Sequence, residues 1–459
     1  MDNTQATPAA TTPAADTTAA ATSAANGPAP HIGKSQRPLK VTIISHSDKL
    51  GGAAVVTYRL MRALRNLGIE ARMVVFTRHT FDPHVTKVSS RFMRSMRFLW
   101  ERVRIYMSNG FDRNKVFQVS IANTGSDLSK HPWVREADVL MLGWTNQGLL
   151  SMHGLRKLGL LGKPIVQVMH DMWCLTGICH HSRGCKRFEG ECGCCPFLGS
   201  DNPDDLSHKL WRKKKRIYDE LPITFVAVSS WLEEQCRRSS LLRDRPVLTI
   251  PNAFPAESYY TRPKALRQRL PIDYTRKIIV MGAARLDDPI KDLPTAIAAL
   301  NYIFDNNPRV ANEAMIVFFG AVKNPGAFDD LRFPYIHIGS ISDEVVLREL
   351  YASAAVVLST SLYETLPGTL IEGQAAGCVP VTTGNGGQRD IVEHLVNGYI
   401  TPDHTPEEVA KGIIWALDNV PDRNKLHRGV ESRFDAPVVA QRYADLFHTI
   451  LAGGDPRGL

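Results

Sequence analysis

The sequence contains no apolar run that approaches the ~20 residues needed to cross a bilayer. Its N-terminus has no basic region followed by an apolar core, so no secretory signal is predicted. A G-x-G-x-x-G fingerprint after the first apolar run is also missing, which argues against a nicotinamide cofactor. These absences predict a cytoplasmic protein.

Composition and charge set wide limits on function. The chain has 459 residues with 44% hydrophobic and 22% charged content, which is ordinary for a globular protein of two or three domains. Its net charge of +9 suits anionic partners, namely nucleotide sugars, acidic lipid headgroups or nucleic acid. Residues 1–36 are mostly Ala, Thr, Pro and Ser and are predicted to be a disordered tail.

Residues 354–387 are the most informative stretch. An apolar run at 354–358 predicts a buried parallel strand, and a short helix ending at Gly377 precedes a second strand at 379–383. Glu364 lies in the loop after the first strand, and Glu372 lies inside the helix. Ligands bind at the carboxyl ends of parallel strands, and helix N-termini favour anions. The stretch therefore predicts a site for a sugar joined to a nucleotide diphosphate.

Two cationic residues lie near the start of the second half of the chain. Arg285 and Lys291 lie between a predicted strand and a predicted helix, where they can bind two phosphates and stabilise the charge on a leaving nucleotide diphosphate. The alternative is a solvated pair near a helix start. Asp287 and Asp288 are interpreted as loop acids, and Gly339 is predicted to lie near the nucleotide base.

The first half opens with a strand, a turn at Gly51 and Gly52, and a helix. The glycine pair would let the backbone approach a ligand closely, or it marks a tight turn without a ligand. His170 and Asp171 end a predicted strand at 165–169, so His170 should face the ligand crevice with Asp171 as its orienting neighbour. A structural histidine that caps a turn is the alternative.

Six of the eight cysteines fall between residues 174 and 195. Four of them are predicted to form a compact cluster that suits a structural tetrahedral zinc site, whereas Cys174 and Cys194 are extras; the four are Cys179, Cys185, Cys192 and Cys195. The spacing is not that of a standard zinc finger. Free thiols and disulfides are the other hypotheses, although disulfides are unusual in the cytoplasm.

Residues 87–107 combine five arginines with large apolar residues at helical spacing. Such a helix can lie on an anionic membrane surface, or it packs on the domain with its arginines solvated. We prefer the packed arrangement. A second basic cluster begins at His208, and the same two arrangements apply to it.

Several motifs resemble one enzyme family. The segments ETLPGTLIE and GQAAGCVPVTT, residues 364–383, resemble the donor-site signature of retaining family 4, or group 1, glycosyltransferases, and GGAAVVTYRLMRAL resembles their acceptor-side opening. The segment from His170 to Pro196, HDMWCLTGICH…CGCCP, resembles a colanic-acid or exopolysaccharide-biosynthesis subgroup. Gly143 and Ile178 depart from that subgroup near the expected acceptor crevice, so the acceptor's identity is not carried over.

The resemblance implies an α/β protein of GT-B fold, in which two Rossmann-like domains with parallel sheets face each other across a cleft. The predicted domains are 37–255 with a Cys-rich insertion at 174–198, 256–436 for the nucleotide sugar, and 437–459 as a helix that crosses back to the first domain and a tail.

The implied activity is the transfer, with retention, of a hexose-type sugar from a nucleotide-diphosphate sugar to a saccharide or lipid-linked acceptor in exopolysaccharide or lipopolysaccharide biosynthesis. No cofactor is expected for catalysis, and the enzyme is expected in the cytoplasm as a peripheral protein of the inner membrane face. Retention is implied by the family, since no carboxylate pair is obviously placed for double displacement.

The resemblance also assigns roles to residues. The predicted catalytic residues are His170, Glu364, Arg285 and Lys291. Donor contacts are predicted for Glu372, Gly339 and the backbone of Leu366, Pro367, Gly368, Thr369 and Leu370. Acceptor-side contacts are predicted for Gly51, Gly52 and Asp171.

Two alternatives remain open. A zinc-dependent nucleic-acid-binding protein would account for the charge and the cysteines but not for the glutamate pair. Another GT-B enzyme, such as a sugar-nucleotide epimerase or a phosphorylase, would use the same donor motif.

Overall fold

Two parallel β-sheets flanked by helices organise the chain. The computed structural model of the protein describes residues 37–88, 91–260 and 270–458, and for Arg91 the backbone alone. The predicted disordered tail, residues 1–36, therefore lies outside the described residues. The described residues from Pro38 onward form one unit that contains both sheets.

The first sheet has seven parallel strands in the order β3-β2-β1-β4-β5-β6-β7. Its strands are β1 Lys40–Ser47, β2 Glu70–Thr77, β3 Val85–Lys87, β4 Val139–Leu142, β5 Ile165–Met169, β6 Ile223–Ala227 and β7 Val247–Thr249. Its helices are α1 Gly52–Asn66, α2 Arg91–Ser108, α3 Pro132–Glu136, α4 Met152–Gly159, α5 Leu206–Glu220 and α6 Ser230–Arg238.

The second sheet has six parallel strands in the order β10-β9-β8-β11-β12-β13. They are β8 Lys277–Arg285, β9 Ala314–Ala321, β10 Tyr335–His337, β11 Val356–Ser359, β12 Val379–Thr383 and β13 Tyr399–Thr401. The helices that follow β8 along the chain are α7 Leu293–Asn306, α8 Pro308–Glu313, α9 Glu344–Ser353, α10 Gly368–Ala375, α11 Pro406–Asp418, α12 Arg423–Phe434 and α13 Ala436–Leu451.

The strand orders place the ligand crevices. In each sheet the chain reverses its direction of winding beside the first strand, between β1 and β4 and between β8 and β11. Such switch points open a crevice at the carboxyl ends of the strands. The residues that follow β1, β4, β8 and β11 are therefore positioned to meet a ligand. This arrangement agrees with the predicted α/β class with parallel sheets.

The last helix belongs to the core of the first sheet. The apolar face of α13 is buried in the same cluster as β1, β2 and α1, and it comprises Val439, Ala440, Tyr443, Ala444, Leu446 and Phe447. These positions repeat at helical spacing, which gives the helix a continuous apolar stripe. The chain therefore returns from the second sheet to the first.

Glycine marks the C-terminal ends of two helices, among them the end that was predicted at Gly377. Gly68 and Gly377 follow α1 and α10 with φ of 83° and 88°, a conformation that glycine adopts readily at a helix C-terminus. Ser342 precedes the helical pattern of α9, and the sequence predicts it as the N-cap, but this prediction is wrong. The cap of α9 is Asp343, whose carboxylate accepts a hydrogen bond from Val345 N at 2.8 Å. A carboxylate competes well with a serine hydroxyl for this position.

Candidate active site

A cleft of about 860 Å³ lies where the carboxyl ends of the first sheet face the loop after β11 and the start of α10. Eight residues singled out in the sequence line it: Gly51, Gly52, His170, Asp171, Glu364, Leu366, Gly368 and Glu372. They come from both sheets and from positions as far apart as 51 and 372. The fold therefore brings the predicted donor and acceptor segments to the same cavity.

The glycine turn opens this cleft on the side of the first sheet. Gly51 has φ of 92° and precedes the first turn of α1, so an L side chain there would strain the backbone. A Cβ added at Gly51 or Gly52 would meet no atom within 4 Å. The free amides of the helix start therefore border open space inside the cleft, as a ligand-binding turn requires.

His170 follows β5 and is held by α1. Its Nε2 lies 3.3 Å from the hydroxyl oxygen of Thr57, which itself donates to Ala53 O at 2.6 Å. The Thr57 proton is thus engaged, so Nε2 is the donor and Nδ1 keeps its lone pair. Burial lowers the pKa of His170 to about 4, although Asp171 and Asn252 oppose this shift. His170 is therefore neutral at pH 7.

Asp171 organises its neighbours other than His170. One carboxylate oxygen accepts from Trp144 Nε1 and from His180 Nδ1, both at 2.7 Å, and the other accepts from Trp173 N at 2.8 Å. Burial alone would raise the pKa of Asp171, but His180 and these hydrogen bonds bring it below its ordinary value. Among these bonds none goes to His170, on which Asp171 acts through its charge.

Glu372 is the most strongly perturbed carboxyl group of the cleft. Burial raises its pKa to about 7, against the opposing effects of Arg59 and of the hydroxyls of Tyr351 and Tyr259. Arg59 lies on α1, so a cation from the first sheet's side acts on a carboxylate of the second. The two protonation states of Glu372 are thus nearly balanced at neutral pH.

Glu364 and Lys291 form an ion pair, with Nζ 2.5 Å from Oε1. Arg285 instead pairs with Asp288 at 2.9 Å and approaches Asp287 at 3.5 Å. Neither cation is part of the cleft wall in the described structure. The two predicted phosphate-binding cations are therefore held by separate carboxylates, and Asp287 and Asp288 are ion-pair partners within their loop.

The start of α10 presents its backbone to the cleft. Gly368 is exposed, whereas Leu370 is fully buried in the core, so the Leu370 side chain is not available to a ligand. Pro367 is the N-cap, and Thr369 is half-buried. Leu366 packs against the core clusters of both sheets. The amides of the first helical turn lack intrahelical acceptors and can bind an anion.

Gly339 does not line the cleft. It has φ of 69°, and its carbonyl accepts from Gly320 N at 2.8 Å. Its predicted contact with a nucleotide base stays a prediction.

Sequence reasoning missed several residues of the cleft wall, among them Arg59, His46, Trp144 and Asn252. Arg59 could have been found, because it lies seven residues after Gly52 on the same face of α1. The others lie at or just beyond the carboxyl ends of separate strands, and only the assembled sheet brings them together.

The four clustered cysteines line one small cavity of about 20 Å³. Cys174 and Cys194 lie outside its wall, and the Cys194 thiol donates to Asp201 O at 3.2 Å. In the described ranges, no disulfide joins the cysteines, and no three His, Cys, Asp or Glu side chains are arranged to hold a metal ion. The structure thus supports the predicted grouping, while structural zinc stays a prediction.

Comparisons with known proteins include a protein family and curated relatives. Residues 332–433 match the family model described as "Glycosyl transferases group 1". This segment runs from just before β10 to the end of α12 and includes Glu364 and Glu372. A glycogen synthase of Mycoplasma mobile is 26% identical over 195 residues, 39% of this chain. The chain spans 40% of that relative's length.

Solved structures resemble the whole arrangement. HepE of Anabaena, in complex with UDP-glucose, is 16% identical and covers 89% of this chain and 99% of its own, with a TM-score of 0.58. Sucrose-phosphate synthase from Thermosynechococcus elongatus is 15% identical and covers 91% of this chain and all of its own, with a TM-score of 0.61. At such low identity, these likenesses show the fold alone.

The structural neighbours establish the predicted GT-B fold for this chain. The family match carries the group 1 pattern at the segment that holds both glutamates of the cleft. Residues 332–433 are thus similar to group 1 glycosyltransferases, and the chain as a whole has the GT-B fold.

Proposed function

We propose that the protein is a retaining glycosyltransferase that moves a hexose-type sugar from a nucleotide-diphosphate sugar to a saccharide or lipid-linked saccharide acceptor in exopolysaccharide or lipopolysaccharide biosynthesis. The observation that carries this proposal is the cleft, which joins Glu364 and Glu372 of the group 1 segment to His170 and the glycine turn of the first sheet.

The donor binds on the second sheet's side. Glu372 accepts hydrogen bonds from ribose hydroxyls, and Glu364 accepts one from the transferred sugar. Amides at the start of α10 bind the pyrophosphate together with Arg285 and Lys291, which exchange part of their carboxylate contacts for phosphate oxygens. Positive charge at this position stabilises the leaving nucleotide diphosphate, so no metal ion is needed for catalysis.

The acceptor enters from the first sheet's side, between the glycine turn and His170. Because His170 is neutral at pH 7, it contacts sugar hydroxyls as a hydrogen-bonding group rather than as a charge. Retention follows from attack on the face that the leaving group vacates, with the leaving phosphate taking the acceptor's proton. Closure around both substrates excludes water and limits hydrolysis of the donor.

The proposal is tested first on the donor alone. A thermal-shift screen with UDP, GDP, ADP, CMP and their sugar conjugates should show a clear stabilisation by one base series, since a ligand of the native state raises the melting temperature. Incubation of that conjugate with acceptors, followed by NMR of the product's anomeric proton, then shows transfer and its stereochemistry. Inversion would remove the retaining mechanism. An epimerised donor without transfer would favour the epimerase alternative.

We also propose that α2 attaches the protein to the anionic inner face of the membrane. This helix packs on the core of the first sheet through buried Ile105, as expected from the sequence, and its outer face exposes Phe92 by 72%, Leu99 by 55% and Trp100 by 61%. Met96, Val103 and Met107 continue the same face. In the described part of the chain, no helix combines the length and apolar character of a transmembrane span.

The charges around α2 favour an anionic lipid surface. Lys87, Arg104 and Arg113 are exposed, whereas Glu101 is buried and paired with Arg102 at 3.3 Å. An amphipathic helix with such a face binds by burying apolar area and by attraction to acidic headgroups. A lipid-linked acceptor would be reached from this position.

Co-sedimentation with vesicles tests this attachment. The protein should bind vesicles of phosphatidylglycerol and phosphatidylcholine, bind pure phosphatidylcholine less, and bind less as salt rises. The double variant Leu99→Ser, Trp100→Ser should lose most of the binding. Leu160→Ser, at a site that is 73% exposed elsewhere, is the matched control. Equal binding by the double variant and the wild type would contradict the attachment.

A further inference from the structure

The imidazole ring of His181 contacts two aromatic rings from different halves of the protein. Its centroid is 5.5 Å from that of Trp231 on α6, with an angle of 18° between the planes. The centroid of the Tyr363 ring lies 4.7 Å away, with an angle of 40° between the planes. Tyr363 belongs to the loop after β11 and directly precedes Glu364. The Cys-rich insertion thus contacts the donor-side loop.

The backbone around His181 is firmly held. His180 N donates to Gln118 O at 3.0 Å, and His180 O accepts from Met172 N at 2.9 Å. The His180 ring is bonded to Asp171 at 2.7 Å, so the residue before His181 is anchored by side chain and backbone. The His181 ring is therefore presented by a fixed segment of the first half.

The loop that carries Tyr363 also positions Glu364. Leu362 N donates to Ile290 O at 2.8 Å, and Thr360 Oγ1 donates to Lys291 O at 3.0 Å. These bonds tie the loop to the segment that supplies the Glu364–Lys291 ion pair. The Tyr363 ring contacts the first half and so links the same loop to it. The position of this ring therefore affects the orientation of Glu364, the next residue.

We propose that His181 and Tyr363 are positioning residues whose ring contact holds Glu364 in its orientation toward the transferred sugar. His181 acts through its aromatic surface rather than as an acid or a base. This inference rests on the proposed function, because Glu364 contacts the donor there.

Two observations favour an aromatic rather than an acid–base role. His181 Nε2 is buried and has no hydrogen-bond partner among the described residues, whereas Nδ1 accepts from Arg183 N at 3.5 Å. Burial lowers the pKa of His181 to about 4, against the opposing effects of Asp171 and Glu364. A neutral ring in contact with the rings of Trp231 and Tyr363 is stabilised by these contacts. The contacts do not require an imidazole nitrogen.

Four variants separate the ring from its polar atoms. His181→Phe and Tyr363→Phe keep the rings and should keep most of the turnover. His181→Ala and Tyr363→Leu should lower kcat roughly 10- to 100-fold, the scale of a small misplacement of a reacting group. Nucleotide affinity, from the ligand-induced shift in melting temperature, should stay near the wild-type value.

A double-variant cycle tests the contact itself. If His181 and Tyr363 act through each other, the combined His181→Ala, Tyr363→Leu variant should be little worse than either single variant. The matched control is His208→Ala, which removes another stacked histidine, 5.9 Å from the Trp211 ring and outside the cleft. It should leave kcat unchanged.

The outcomes are distinct. A wild-type protein that transfers no sugar contradicts the proposed function. Transfer by the wild type together with unchanged kcat in His181→Ala and Tyr363→Leu overturns the positioning contact alone. A folded His181→Phe variant that loses turnover while His181→Ala loses no more would assign a hydrogen-bonding role to the imidazole and also overturn it. Should His181→Ala fail to fold, Tyr363→Leu and the phenylalanine variants still decide.

Discussion

At the residue scale, the donor side depends on a carboxyl group held near its titration point. Glu372 combines burial, which disfavours its charged form, with Arg59 and two tyrosine hydroxyls, which favour it. A carboxylate must be ionised to accept two ribose hydroxyls. Ligand binding and deprotonation of Glu372 should therefore be linked.

The first prediction concerns this linkage. Affinity for the nucleoside diphosphate should rise between pH 6 and pH 8, because less work is needed to deprotonate Glu372 above its pKa of about 7. In Glu372→Gln the affinity should be lower, and this rise should disappear. Calorimetric titration across the pH range measures both. Glu407→Gln, at an exposed position on α11, is the control and should behave as the wild type.

The same group predicts a pH effect on stability. The pKa of Glu372 lies above its ordinary value of 4.5, so between about pH 4.5 and 7 the native state binds more protons than the unfolded state. The free energy of unfolding should therefore fall as pH rises through this window. The free energy of unfolding in urea, measured across this pH range for the wild type and for Glu372→Gln, isolates the effect as the difference between the two proteins. A difference that does not change with pH would contradict the assignment.

The Glu364–Lys291 ion pair leads to a further prediction. Lys291→Met should weaken binding of the nucleoside diphosphate roughly 10- to 100-fold, the worth of a hydrogen bond to a charged group, and should affect the free nucleoside little. Lys411→Met breaks a Lys–Glu ion pair on the surface of α11 and serves as the control. An equal loss of affinity for the nucleoside and for the nucleoside diphosphate would place Lys291 away from the phosphates.

At the element scale, apolar runs and turn residues predicted strands of both sheets, among them β5, β11 and β12. Buried runs such as those of β5 and β12 are apolar along their whole length, and helix ends carry glycine at left-handed positions. The glutamate pair and the glycine turn were also predictable, because each lies within one β–loop–α unit. Contacts between units were not, as Arg59 and the His181–Tyr363 pair illustrate.

The Cys-rich insertion contributes a prediction at this scale. If the four cysteines around the small cavity hold zinc, freshly purified protein should contain about one equivalent, as a four-cysteine structural site implies. Cys192→Ser should abolish the metal and lower the melting temperature. Cys174→Ser is the control, since Cys174 is buried outside the cavity. Metal-free protein with all thiols titratable would leave the cluster as free cysteines.

At the scale of the whole molecule, α13 links the end of the chain to the first sheet's core. Phe447 is fully buried there, so Phe447→Ala should cost roughly 3–5 kcal/mol of unfolding free energy. Val438→Ala on the same helix removes a side chain that is 39% exposed and should cost far less. Chemical denaturation compares the two. Similar values for both would contradict the burial of this helix face.

The most direct test of the central claim is the thermal shift of the wild-type protein and of Glu372→Gln with the four nucleoside diphosphates or monophosphates and their sugar conjugates. The account predicts that one base series raises the melting temperature of the wild type, and that the shift shrinks in Glu372→Gln although the variant stays folded. A wild type that responds to none of these ligands, or a variant that responds equally, would contradict a nucleotide-sugar site in this cleft.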